Sequence, residues 1–162
     1  MAEGQGQMRR VSDERLGAAV AACVKAGAEL VYLFGSQASG RSWAQSDVDL
    51  AVLLGSAVPR ERQGAVRVQL IAELMSVFKT NEVDVVVLNE APPLLSYEGV
   101  IQGGRLLFEK DKLTRVRFHV RAFQEYVDTA ALREVQNRYL KESIHAPAAA
   151  LPVEEGRQGH TW

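Results

Sequence analysis

The 162 residues suffice for one compact domain with a real core and are too few for two conventional ones, so catalysis and recognition must share that core or a partner must complete the site. Hydrophobic residues at 47% and charged ones at 24% are ordinary for a globular protein, and 19 basic against 20 acidic side chains exclude a global electrostatic pull toward nucleic acid or an anionic membrane. Cys23 is the only cysteine, which excludes an intrachain disulfide and a four-cysteine zinc site and suits a reducing cytoplasm. The Gly/Gln-rich, then basic, stretch 1–10 lacks the apolar core of a secretory signal, and no run approaches the roughly 18 to 20 apolar residues that span a bilayer.

Residues 1–11 read as a flexible start, followed by a domain over 12–143. Ser12 is placed to cap a helix in which Leu16, Ala19, Val20, Cys23 and Val24 recur at helical spacing, ended by Gly27. Residues 30–34 form an apolar run closed by Gly35-Ser36, and 48–54 form a second, opened by aspartates; both fit buried strands. Pro59 introduces a helix to about residue 79, in which Val66, Leu70, Ala72, Leu74, Val77 and Phe78 suggest packing on a sheet. Residues 83–88 are strongly β-branched around one acid, Asp84. Pro92-Pro93 open a short helical stretch to residue 102, Gly103-Gly104 break it, and 105–109 read as a short edge strand. A long helix is expected over 112–143. Residues 144–162 mix Pro, Ala, Gly and charge without periodicity, as a disordered or partner-ordered tail does. The order of elements implies an α/β (α+β) domain, a mixed sheet of about four strands flanked by helices.

On a strand, side chains two apart share a face, so Asp47 and Asp49 aim two carboxylates to one side, about 7 Å apart along the backbone. Like charges this close need a neutralising cation, and hard oxygen ligands select Mg²⁺ or Mn²⁺. Asp84 interrupts an apolar strand and also needs a counter-charge, which a metal shared with Asp47 and Asp49 would supply. Gly35-Ser36 ends the first strand, where a missing Cβ lets backbone N–H groups approach a phosphate and a hydroxyl adds a further donor. These parts would hold a polyphosphate with its α-phosphorus open to in-line attack, which is the geometry of nucleotidyl transfer.

Gly35-Ser36, ten residues, then Asp47-Val48-Asp49 resembles the signature of the polymerase-β-type nucleotidyltransferase superfamily. The text LFGSQASGRSWAQSDVDLAVLL is similar to its smallest branch, the minimal nucleotidyltransferases, over roughly residues 12–111. The resemblance implies that Asp47 and Asp49 bind metal and that Asp84 binds metal or activates the attacking hydroxyl. Many members carry an arginine just after the Gly-Ser pair, where this chain has Gln37 and Ser39, so Arg41 is the candidate substitute in nucleotide binding. Stand-alone proteins of this type resemble antitoxins paired with HEPN-domain toxins, which are helical ribonucleases. The expectation is therefore transfer of AMP from ATP, with Mg²⁺ at a two-metal site, to a tyrosine of a cognate HEPN toxin, with no membrane and no direct nucleic-acid binding. Aromatic residues of the last helix, Phe118, Phe123, Tyr126 and Tyr139 among them, offer a docking face or core.

Three other readings compete. A small-molecule, aminoglycoside-like adenylyltransferase would want an acceptor domain that has no counterpart in the sequence, and a non-catalytic toxin-binding module would not need all three aspartates. Residues 35–42 also approach a P-loop, but only four residues separate Ser42 from Asp47, too few for the helix a P-loop requires. Trp43 is as suited to loop anchoring as to stacking on a base, and His119 is expected on a helix surface without chemistry.

Overall fold

The computed structural model describes residues 11–38 and 47–145, with side chains through residue 141. The expectations for the N-terminal stretch, for Ser39, Arg41 and Trp43, and for the tail lie outside the described residues. The chain divides into two compact units, one ending at Asp128 and the other beginning at Thr129.

In the first unit, α1 (Asp13–Lys25) begins at Ser12, whose hydroxyl accepts from the Arg15 N–H, while Asp13 and Glu14 sit favourably at the positive end of the helix dipole. Strand β1 (Ala28–Phe34) and strand β2 (Val48–Leu54) pair antiparallel, with Phe34 opposite Asp49 and Leu33 opposite Leu50. Helix α2 (Arg60–Phe78) ends on Lys79 in the left-handed conformation, φ 55°, donating its N–H to the Met75 carbonyl. Strand β3 (Val83–Val87) returns parallel to β2, as a helical crossover permits, and β4 (Arg105–Glu109) adds antiparallel to β1. The sheet order is β3-β2-β1-β4, so β4 is the edge strand expected and β3 is the other edge.

Beyond β3, Asn89 donates to and accepts from the Leu54 backbone, at 2.9 and 2.8 Å, and so finishes the ladder where β2 ends. The helical stretch expected after Pro92-Pro93 is wound as a π-helix over Leu95–Gln102. The helix expected over 112–143 is interrupted at Thr129, giving α3 (Lys112–Asp128) and α4 (Ala130–His145). The Thr129 carbonyl accepts the Arg133 N–H and its hydroxyl accepts from the Arg133 guanidinium, so this β-branched residue starts a new helix. In the second unit, α4 keeps Leu132, Val135, Tyr139 and Leu140 exposed.

Both sheet faces are covered in the first unit, which is why β1 and β2 are apolar on alternate and intervening positions alike. Val31, Leu33, Leu50, Val52 and Val85 meet Leu16, Cys23, Leu70, Leu74 and Phe78 from α1 and α2. On the other face Leu30, Tyr32, Ala51 and Leu53 meet Val100, Phe118 and Ala122. Alternation along β2 assigns Asp49 to this second face.

Candidate active site

The C-terminal end of β1 and the N-terminal ends of β2 and β3 lie side by side, and the residues singled out by sequence collect there. Asp47 is exposed just ahead of β2, and Asp49 is half-buried within it. Asp49 is the register partner of Phe34 on one side and of Asp84 on the other, so Asp49 and Asp84 stand next to each other on one face of the sheet. Burial first, then the neighbouring Asp47 and Asp84 carboxylates, push the Asp49 carboxyl up from its ordinary value.

Gly35 follows β1 at φ 71°, and a Cβ there would collide with Asp49 Oδ2. Glycine therefore serves twice, supplying a left-handed turn and clearing space for the carboxylate. Ser36 follows it, half-buried, in the turn between β1 and the undescribed segment that holds Arg41.

Sequence reasoning gave Asp84 a counter-charge in the form of a metal; the structure supplies one from the protein. Arg67 of α2 reaches round the β3 edge and donates through Nη2 to Asp84 Oδ1 at 2.9 Å and through Nε to the Val85 carbonyl at 2.5 Å. The Val85 N–H donates to the same Oδ1 at 2.8 Å. Asp84 is also more exposed than an acid within an apolar strand suggests, because β3 is an edge. Arg67 was missed, although one signal pointed to it: it shares the Gln63, Leu70, Leu74 stripe of α2, where an arginine calls for an acid.

Among the described residues no three His, Cys, Asp or Glu side chains are gathered closely enough to form a ready-made metal cage. The donor set nevertheless fits a hard cation, because Asp47 and Asp49 supply adjacent carboxylates whose repulsion a cation would relieve. Mg²⁺ is commonly held by one or two carboxylates, with substrate phosphates and water completing the shell.

A family model described as polymerase beta, nucleotidyltransferase matches residues 23–113, which contain β1 to β4 and every one of these side chains. The chain belongs to the polymerase-β nucleotidyltransferase family. No curated protein matches it. Among solved structures, this nucleotidyltransferase is similar to a chain from the complex of a tri-AMPylated Shewanella oneidensis HEPN toxin with its MNT antitoxin: 22% identity, TM-score 0.60, covering 82% of this chain and 98% of that one. A toxin-antitoxin structure with AMP-PNP matches at 24% identity and TM-score 0.62, covering 80% and 98%. The MntA-HepT toxin-antitoxin structure matches at 22% identity and TM-score 0.62, covering 83% and 100%. At these identities the likeness establishes the fold.

One expectation about another residue changes. His119 is half-buried rather than on a helix surface, and its Nε2 is hydrogen-bonded to the Tyr32 hydroxyl at 2.8 Å. Phe118 is core, packed on Tyr32, while Phe123 and Tyr126 lie against the Tyr97 ring. No helix of the described residues is long and apolar enough to cross a membrane.

Proposed function

We propose that this nucleotidyltransferase is a cytoplasmic antitoxin that transfers AMP from ATP to a tyrosine hydroxyl of a cognate HEPN ribonuclease toxin and so neutralises it. The observation that carries the reading is the juxtaposition of Asp47, Asp49 and Asp84 beside Gly35-Ser36 in a member of this family. Its acceptor is supported by the neighbours, which span nearly their whole length on this fold and come from toxin-antitoxin complexes, one of them with an AMPylated toxin.

In this reading Asp47 and Asp49 hold Mg²⁺, or Mn²⁺ in its place, and Asp84 contributes to a second cation or accepts the proton of the attacking hydroxyl. Bound there, the divalent cation neutralises the triphosphate and makes its α-phosphorus electrophilic. Gly35 and Ser36 offer backbone and hydroxyl donors to the phosphates, with Arg41 as a further phosphate ligand. The tyrosine oxygen forms a bond to the α-phosphorus as the bond to the bridging oxygen breaks. Pyrophosphate departs with the bonding pair, and the phenolic proton passes to a site carboxylate. Outside the site, α3 leaves Leu113, Val116, Val120, Phe123 and Val127 exposed, an apolar strip against which an acceptor protein can dock.

Intact mass spectrometry of the cognate toxin after incubation with the nucleotidyltransferase, ATP and Mg²⁺ tests the acceptor. A gain in multiples of AMP, lost when the modified tyrosine is changed to phenylalanine, is expected. A tight complex without mass gain would point instead to neutralisation by binding alone, and an unmodified toxin that forms no complex would direct the search to small-molecule acceptors.

A further inference from the structure

Among the described residues, Arg67 is the side chain that holds a site carboxylate, and the way it does so is specific. Helix α2 packs on the sheet face opposite the aspartates, so Arg67 has to pass round the free edge of β3 to reach them. There its guanidinium grips two acceptors that differ in kind, the Val85 backbone carbonyl and Asp84 Oδ1. Oδ1 also receives the Val85 N–H, so that oxygen is filled by two donors. Oδ2 has no hydrogen-bond partner among the described residues.

We propose that Arg67 is a positioning residue for nucleotidyl transfer: by tying Asp84 Oδ1 to the β3 edge, it leaves Oδ2 as the oxygen presented on the face shared with Asp49. The proposal rests on the reading of Asp47, Asp49 and Asp84 as the reacting centre. An unrestrained aspartate at a sheet edge rotates freely, and with Asp49 as its register partner like-charge repulsion would turn it outward. The fork of Arg67 removes that freedom while balancing one of the negative charges. Lysine could supply the charge but not the paired, planar donors. Partners that orient a ligating carboxylate typically matter by about 10-fold to 100-fold in metal affinity or activity.

As a fold element the same contact is minor, because the ion pair is about half exposed on both sides, 47% and 54%, and exposed pairs contribute little to stability. Variants at Arg67 are therefore expected to fold, which circular dichroism and Tm would verify. The test measures Mn²⁺ affinity from loss of the free-ion electron paramagnetic resonance signal, together with the Mn²⁺ dependence of AMP transfer. It uses the full chain as wild type, Arg67→Ala, Arg67→Lys, Asp84→Asn, the Arg67→Ala/Asp84→Asn double variant, and Asp49→Asn.

Arg67→Ala is expected to weaken Mn²⁺ binding about tenfold and to raise the Mn²⁺ needed for half-maximal transfer by a similar factor, with KM for ATP unchanged. Arg67→Lys should recover only part of this. In the Asp84→Asn background, Arg67→Ala should have no further effect, since the arginine acts through that carboxylate. An unchanged Mn²⁺ affinity in Arg67→Ala, an equal loss in the Asp84→Asn background, or full recovery with lysine would each overturn the proposal. Undiminished Mn²⁺ binding in Asp49→Asn would instead overturn the reading of the centre itself, and the role of Arg67 with it.

Discussion

The two faces of the sheet are built to different ends. The face under α1 and α2 is a continuous apolar core in which Leu50, Val52, Leu70, Leu74 and Val85 are essentially inaccessible, and Cys23 is buried among them. Burial, reinforced by Glu73, pushes the Cys23 thiol up to about 12, so it belongs to packing and not to redox chemistry. The face under α3 has the smaller cluster and carries polar groups: Tyr32 bonded to His119 partway along, and Asp49 where β2 begins. One face is closed on all its length, and the other is left open where the carboxylates stand. Stability and chemistry thus share the same three strands through opposite sides of alternate residues.

That division sets what mutations on each side should do. Leu74→Ala on the closed face leaves a cavity and is expected to lower stability by about 2–5 kcal/mol, measured by denaturant unfolding, while transfer per folded molecule is unchanged. Gly35→Ala on the open side should do the reverse. It costs only about 1–2 kcal/mol of stability for the left-handed backbone, whereas the new methyl displaces Asp49 and lowers transfer by roughly a hundredfold in steady-state assays.

His119 gives a smaller effect, read through pH. Burial, then Arg115, lowers the pKa of His119, with Glu109 opposing. A depressed folded-state value means that its contribution is present above the unfolded pKa of about 6.5 and is lost as pH falls through the folded value. Tm should therefore drop more steeply as pH falls below about 6.5 in the wild type than in His119→Gln, and parallel curves would contradict this.

Much of the fold was legible in sequence because its signals are local. Ser12 capped α1, the apolar runs became β1 to β3 in their expected places, and the run opened by the aspartates begins at Val48, with Asp47 just ahead of the strand and Asp49 within it. What escaped depends on distant neighbours. Asp84 and Arg67 are brought together by a strand edge and not by spacing, and the π-helical winding of Leu95–Gln102 has no periodic signature to distinguish it from an ordinary helix. Thr129 was an unremarkable residue inside a helical pattern, yet its carbonyl and hydroxyl start a new helix.

The most direct measurement of the central claim is transfer of label from α-³²P-ATP to the cognate toxin by wild-type protein and by Asp47→Asn and Asp49→Asn, each with Mg²⁺ and with EDTA. Labelling by the wild type that EDTA abolishes is expected, with a loss of about a thousandfold or more in both variants despite normal folding. Labelling that persists in either variant, or that survives EDTA, would contradict it.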